Sequence, residues 1–203
     1  MKNKGVSTSY YHRSLGHKKT RLSSSFHDSH SLDNKTIVLG GGCFWCTEAT
    51  FLLLPGVTKV EPGYAGGDVP DPTYEQVSAG DTGHAEVIRV EYDSKKTDLD
   101  NIFELFFTVH DPTTLDRQGA DVGTQYRSIV LYEDEGQRQS TEDYIAKIQD
   151  NYKDKIVTEI KKLDKFYLAE DYHKNYFEKN PNAGYCRVVI APKVEKAKKI
   201  INK

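Results

Sequence analysis

The sequence predicts an α+β fold, a sheet carrying helices, rather than a doubly wound parallel sheet. Three observations predict it. Apolar runs next to glycines or turns, such as "KTIVLGGG" and "RSIVLYE", read as strands, and "HAEVIRVEYD" alternates with period two. "CFWCTEATFLLL", "LDNIFELFFTVHDP" and "EGQRQSTEDYIAKIQDNYKD" read as helices. The two kinds of element mix without a strict βα alternation. With 203 residues and a formal net charge of −2, the chain has the size of one domain with a real core. Its balanced charge argues against general nucleic-acid binding, which draws on a concentrated basic surface. The longest apolar run, "TFLLLPGV", is far shorter than the roughly 20 residues a membrane span needs.

The elements follow in order. Residues 1–33 carry Ser23, Ser24 and Ser25 among Lys18, Lys19, Arg21, His27 and His30, a composition that cannot build a core, so a disordered tail is expected there. Residues 34–203 are expected to form a single domain. The strand at "KTIVLGGG" runs into a helix that opens at Cys43 and stops at Pro55 and Gly56. "VTKVEPGYAGG" reads as a second strand, "DVPDPTYEQVSAGDTG" as an ordered loop with a short helix, and "HAEVIRVEYD" as a third strand. A buried helix over "LDNIFELFFTVHDP" ends at Pro112, and the loop "TTLDRQGADVGTQY" leads to the strand "RSIVLYE". The next helix faces solvent, with Arg138 and Glu142, then Asp143 and Lys147, four apart. "KIVTEIKKLDKFYLA" supplies one more strand and "EDYHKNYFEKN" a short polar helix; Cys186 lies in a mobile C-terminal segment. The lysines of "KVEKAKKIINK" read as a solvated face.

Reactive chemistry centres on "GGGCFWCTEATF". Three glycines in a row suggest bare backbone or close approach. A cysteine in the first turn of a helix meets unpaired N–H groups and the positive end of the helix dipole, which lower its pKa, so Cys43 is a candidate nucleophile. A free cysteine is otherwise a small buried apolar residue. Cys46 lies close enough along the helix to face Cys43. CxxC alone admits thioredoxin-like disulfide exchange, and Cys186 with a histidine would extend it to a zinc-stabilised binding module. In "HAEVIRVEY", Glu86 shares a face with Ile88, Val90 and Tyr92, whereas Arg89 and Glu91 lie opposite. A carboxyl desolvated there keeps its proton near neutral pH and serves as a general acid; a Glu at the strand's edge with its head group in water is the alternative. Phe44 and Trp45 cannot both point into one core direction, so at least one is expected to line the surface around Cys43. His173 reads as a polar helix residue and His110 as a helix-end hydrogen-bonding residue. Three cysteines, an odd number, suit a reducing compartment. With no export or membrane signal recognised, the cytoplasm is the expected location.

In that order, "GGCFWCTEATF", "GYAGG", "PTYEQV", "GDTGHAEVIRVEYD", "HDPTT", "RQGADVGTQYRS", "AEDYHKNYF" and "NAGYC" resemble a peptide methionine sulfoxide reductase of the A type. The resemblance runs from about Lys35 to near Pro192. It implies a two-layer α/β sandwich with a ferredoxin-like mixed sheet core, and makes 34–203 a catalytic domain. It puts the nucleophile that attacks the sulfoxide sulfur at Cys43 and the acid for the sulfoxide oxygen at Glu86. Tyr74 and Tyr126 fall on hydroxyls that help hold that oxygen, and Asp121 on an acid close to the reactive thiol. Phe44 and Trp45 match the rings that enclose the methionine ε-methyl. The implied cycle oxidises Cys43 to a sulfenic acid, condenses it with a second thiol, and returns the disulfide to the dithiol at the expense of thioredoxin. The implied substrate is methionine-S-sulfoxide, free or in oxidised proteins, turned over by a monomer without cofactor or metal. Many relatives have glycine at position 46, and this chain has no cysteine after Cys186. Cys186 matches a resolving position and is favoured as resolver, although Cys46 is nearer in sequence.

Overall fold

Eight strands and six α-helices form within Met1 and residues 33–202, the residues described by the computed structural model. The disordered tail expected over residues 1–33 falls, apart from Met1 and Asp33, outside the described residues. In chain order the elements are β1 (Asn34–Gly41), α1 (Phe44–Phe51), β2 (Val57–Ala65), α2 (Tyr74–Ala79), β3 (Ala85–Asp93) and α3 (Leu99–Val109). They continue as β4 (Arg117–Gln118), β5 (Asp121–Val122), β6 (Ser128–Tyr132), α4 (Glu135–Ile148), β7 (Glu159–Lys162), β8 (Phe166–Leu168), α5 (Tyr176–Lys179) and α6 (Ala191–Ile201). Short 3₁₀ turns occupy Thr124–Tyr126 and Asp171–His173, and a π-helical turn, Cys186–Ile190, leads into α6.

The main sheet has the order β7-β6-β1-β3-β2-β8. Its inner four strands are antiparallel, with Leu39 opposite Ile88 and Val130, and Glu86 opposite Tyr64. Together with α1 and α3 they make the βαββαβ arrangement of a ferredoxin-like core. α1 and α3 lay the apolar side chains Phe44, Phe51, Phe103 and Phe106 against Ile37, Leu39, Ile88 and Val90 on one sheet face. Local signals start α2, α3 and α4: Asp98 and Asp134 each accept the N–H of the third residue after them, ahead of α3 and α4, and Thr73 forms a capping box with Gln76 ahead of α2. The other sheet face holds a smaller apolar cluster of Val38, Ala65, Ala85, Val87, Ile129 and Leu131, against which Leu163 and Phe166 pack.

Four expectations are corrected. Residues 155–169 hold two strands instead of one: β7 pairs parallel with β6 at one edge, and β8 pairs with β2 at the other. Leu163 and Phe166 explain the split, since both must reach the second apolar cluster as the chain crosses between the edges. The loop 113–126 contains the two-residue hairpin β4–β5. Arg138 does bind Glu142 at 2.6 Å, but Lys147 lies 3.7 Å from Asp100 on α3, while Asp143 accepts from Gln139. Cys186 opens the π-helical turn that leads into α6 and is fully buried, so it belongs to no loose segment. Among the described residues no helix is long and apolar enough to cross a membrane.

Candidate active site

Strand β1 and helix α1 meet at the three glycines, and their role is close packing. A Cβ on Gly40 would stand 2.9 Å from the Glu86 carbonyl oxygen, and one on Gly41 would stand 3.0 Å from the rings of His110 and Phe106. Gly42 turns the chain at φ +93, a left-handed conformation disfavoured for residues with a side chain, and a Cβ there would strike Gln118 at 2.7 Å. The sequence suggested bare backbone or close approach, and close approach is what occurs. The glycines let β1 end hard against β3 and α3, so that α1 begins directly over Glu86.

Cys43 is the N-cap of α1, one residue before the first helical one, and its carbonyl oxygen accepts the N–H of Cys46 at 3.0 Å. It keeps 6% of its surface exposed, against 1% for Cys46 and none for Cys186, so it is the most open of the three thiols. Glu86 is buried on the helix-facing side of β3, as the alternation predicted, and its Oε2 accepts the Phe44 N–H at 3.0 Å. Burial pushes the Glu86 pKa up to about 8, the Phe44 N–H pulls it down, and Asp121 and Cys46 push it further up. Glu86 therefore holds a proton at neutral pH.

The acidic thiol expected from the helix start alone does not result. Burial raises Cys43 well above the ordinary thiol, the Cys46 thiol and Glu86 push the same way, and the Trp45 N–H pulls it back. The Phe44 N–H of the helix mouth serves Glu86 instead. Cys46 is lowered by the hydrogen bond from Cys43, against its burial, with help from Lys193 and the Tyr185 hydroxyl. The hydrogen-bonded pair shares a proton: it releases the first more readily than a lone buried thiol would and holds the second hard.

The remaining candidates lie around this pair. Burial raises Tyr126, and Glu86, Tyr74, Asp121 and Cys43 add to the effect, so these four side chains stand within electrostatic reach of its hydroxyl. Tyr74 opens α2 and is raised by burial and then by Glu86. Asp121, on β5, accepts the Tyr185 hydroxyl at 2.7 Å. Phe44 is fully buried, whereas Trp45 is half-buried and stacks on Tyr176 at 3.7 Å between centroids. Cys43, Cys46 and Cys186 share one apolar cluster with Ile190 and Val194, and the sulfur neighbour felt by Cys186 is Cys46. Three participants escaped the sequence reading. Tyr185 links Asp121 to Cys46; Glu48, buried in α1, accepts the Asn175 N–H at 2.9 Å; and His173, read as a polar helix residue, is fully buried. His110 is the helix-end residue expected, with Nδ1 2.6 Å from the Phe106 carbonyl oxygen. A cleft of about 480 Å³ between α3 and α4 contains none of these groups.

Known proteins carry the same pattern. The family described as peptide methionine sulfoxide reductase matches residues 35–203. A peptide methionine sulfoxide reductase MsrA from Haloquadratum walsbyi is 54% identical over 165 residues, which cover 81% of this chain and 95% of the relative. The reduced form of Mxr1 from Saccharomyces cerevisiae superposes with a TM-score of 0.72 at 37% identity, covering 75% of this chain and 89% of the yeast one. Mxr1 in complex with Trx2 superposes with a TM-score of 0.51 at 25% identity, covering 70% of this chain and 84% of the other. The disulfide-exchange alternative finds no comparable match among these relatives. A ferredoxin-like sheet, a cysteine capping its first helix over a buried glutamic acid and a family match over residues 35–203 agree: this chain belongs to the peptide methionine sulfoxide reductase family.

Proposed function

We propose that the chain reduces methionine-S-sulfoxide, free or in oxidised proteins, with Cys43 as nucleophile and Glu86 as proton donor. The observation that carries this reading is the buried Glu86, protonated at neutral pH and hydrogen-bonded to the backbone beside Cys43. Cys43, its proton taken by the hydrogen-bonded Cys46, attacks the sulfoxide sulfur while the oxygen takes up a proton; a neutral Glu86 supplies that proton and, until it does, puts no negative charge against the attacking sulfur. The oxygen passes to Cys43 as a sulfenic acid, methionine leaves, and the two electrons gained by the substrate come from the cysteine. Tyr74 and Tyr126, too weakly acidic to ionise, donate to the same oxygen. Half-buried Trp45 forms the apolar wall for the ε-methyl with fully buried Phe44 packed beside it, and Asp121 orients Tyr185 toward the thiol pair.

A thiol must then displace water from the sulfenic acid. Cys46 already hydrogen-bonds Cys43 and stands next to Cys186, so we read the order as Cys43, Cys46, Cys186, which keeps Cys186 in the cycle as the later resolver. The yeast relative's complex with Trx2 supports thioredoxin as the external dithiol. Three free thiols suit a reducing compartment, in keeping with a cytoplasmic monomer built from the one domain over 34–203.

Reduced protein given each sulfoxide epimer of a blocked methionine, without reductant, tests the reading. The S epimer should yield a first thioether per chain in a burst and a second once the disulfide has passed to Cys46 and Cys186 and freed Cys43, and Cys43→Ala none. Tryptic peptide 36–59 holds both Cys43 and Cys46, while peptide 180–187 holds Cys186. An early disulfide within 36–59, followed by a link between the two peptides, is expected. Cys186→Ser should spare the first thioether and slow thioredoxin-linked recycling. Full recycling by Cys46→Ser would instead make Cys186 the direct resolver, and thioether formation by Cys43→Ala would refute the assignment of the nucleophile.

A further inference from the structure

Gln125 stands beside Tyr126 in the turn Thr124–Tyr126 and has no part in the chemistry above. It is buried, and its Nε2 donates to the Ser78 carbonyl oxygen at 3.0 Å, a bond that spans 47 positions of the chain. A carbonyl oxygen only accepts, so the nitrogen end of the amide faces Ser78 and Oε1 is the free end. That Oε1 is buried without a hydrogen-bond partner. The amide lies between two glycines of positive φ, Gly80 after α2 and Gly123 before the turn. A Cβ on Gly123 would collide with it, and one on Gly80 would stand 3.7 Å from Oε1. Ser78 belongs to the last turn of α2, whose carbonyl oxygens lack partners within the helix, and Tyr74 opens the same helix one turn earlier on the same face. The other neighbour of Tyr126 is tied as well: Arg127 Nη2 donates to the Gly83 carbonyl oxygen at 3.0 Å, just ahead of β3.

We propose that Gln125 is a positioning residue for the sulfoxide oxygen: its Nε2–H straps α2 to the turn that carries Tyr126, and so sets the separation of the Tyr74 and Tyr126 hydroxyls. The inference rests on the reading of those hydroxyls as donors to that oxygen. A sulfoxide oxygen gains negative charge as its sulfur is attacked, and two donors stabilise that charge together only when both stand at hydrogen-bond distance from one atom. Arg127 fixes the turn relative to β3, and hence to Glu86, while Glu170 holds the start of α2 by accepting the Tyr74 N–H at 3.0 Å. The Gln125 amide joins these two parts directly. Methionine at this position would fill the slot between the glycines with a side chain of similar length, so packing alone does not ask for an amide whose oxygen stays unpaired.

Gln125→Met removes the donor and keeps the bulk. In this variant the single-turnover rate with saturating blocked methionine-S-sulfoxide should fall about three- to tenfold, the size of one neutral hydrogen bond, with KM changed by less than about twofold. Tyr74→Phe should then cost less rate in Gln125→Met than in wild type, because the displaced hydroxyl has already lost its hold on the oxygen. A strap that served stability alone would lower the melting temperature and leave the two rate effects multiplying. That outcome overturns the proposal, as does an undiminished rate in Gln125→Met. If Gln125→Met fails to fold, Cys43→Ala decides in its place: the Gln125 side-chain amide resonances should shift when blocked methionine-S-sulfoxide binds and far less when blocked methionine binds, since only the first carries the oxygen. Resonances that respond alike to both ligands, or to neither, would overturn the proposal. Failure of the functional reading shows separately, as wild type that forms no thioether from either epimer.

Discussion

Glu86 shows how far a single residue could be read in advance. The alternation in "HAEVIRVEY" put it on the apolar face, and it lies there buried. Its bond to the Phe44 N–H was beyond reach, because that depends on β3 lying under the start of α1. Burial also fixes a pH-dependent cost. A pKa raised from 4.5 to about 8 means the folded state keeps a proton the unfolded state has lost, so this contribution to stability is full below pH 4.5 and is lost as pH rises to about 8. Glu86→Gln, neutral at every pH and still able to accept the Phe44 N–H, should therefore melt higher than wild type at pH 8, with the difference vanishing below pH 4.5 in calorimetric scans. The same substitution should slow the first turnover by about 10²- to 10⁴-fold, the usual range for losing a positioned acid.

At the scale of elements, α1 and the glycines before it were the most legible part of the chain, and their physical role was half visible. The glycine run announced an unusual backbone; that its space is filled by His110, Phe106 and Gln118 required the tertiary structure. Gly42→Ala should lower stability by about 1–3 kcal/mol in urea titrations, since a left-handed backbone disfavours a Cβ and Gln118 must also move. Glu48 was legible only in hindsight. It is the one charged residue between Lys35 and Lys59, and it lies on the buried side of α1, where it holds the N–H groups of Asn175 and Tyr176 at the start of α5. Its own pKa is raised by burial, against those two donors. Glu48→Ala should cost about 1–3 kcal/mol by leaving buried N–H groups unpaired, measured as a lowered denaturation midpoint.

For the whole molecule, the mixture of elements foretold an α+β sheet, but not the strand order. Residues 155–169 alternate too weakly to reveal two strands, and nothing local says that one pairs with β6 and the other with β2. Tertiary demand from the second apolar face decides it. Likewise "NAGYC" read as mobile because its burial depends on α1 and α6 packing together. The account as a whole is tested most directly by rapid-quench of reduced protein with methionine-S-sulfoxide and no added reductant. It predicts a first burst of one methionine per chain, formed together with a disulfide from Cys43, at a rate cut by Glu86→Gln without changing the final yield. Methionine released by Cys43→Ala, or an undiminished rate in Glu86→Gln, would contradict it.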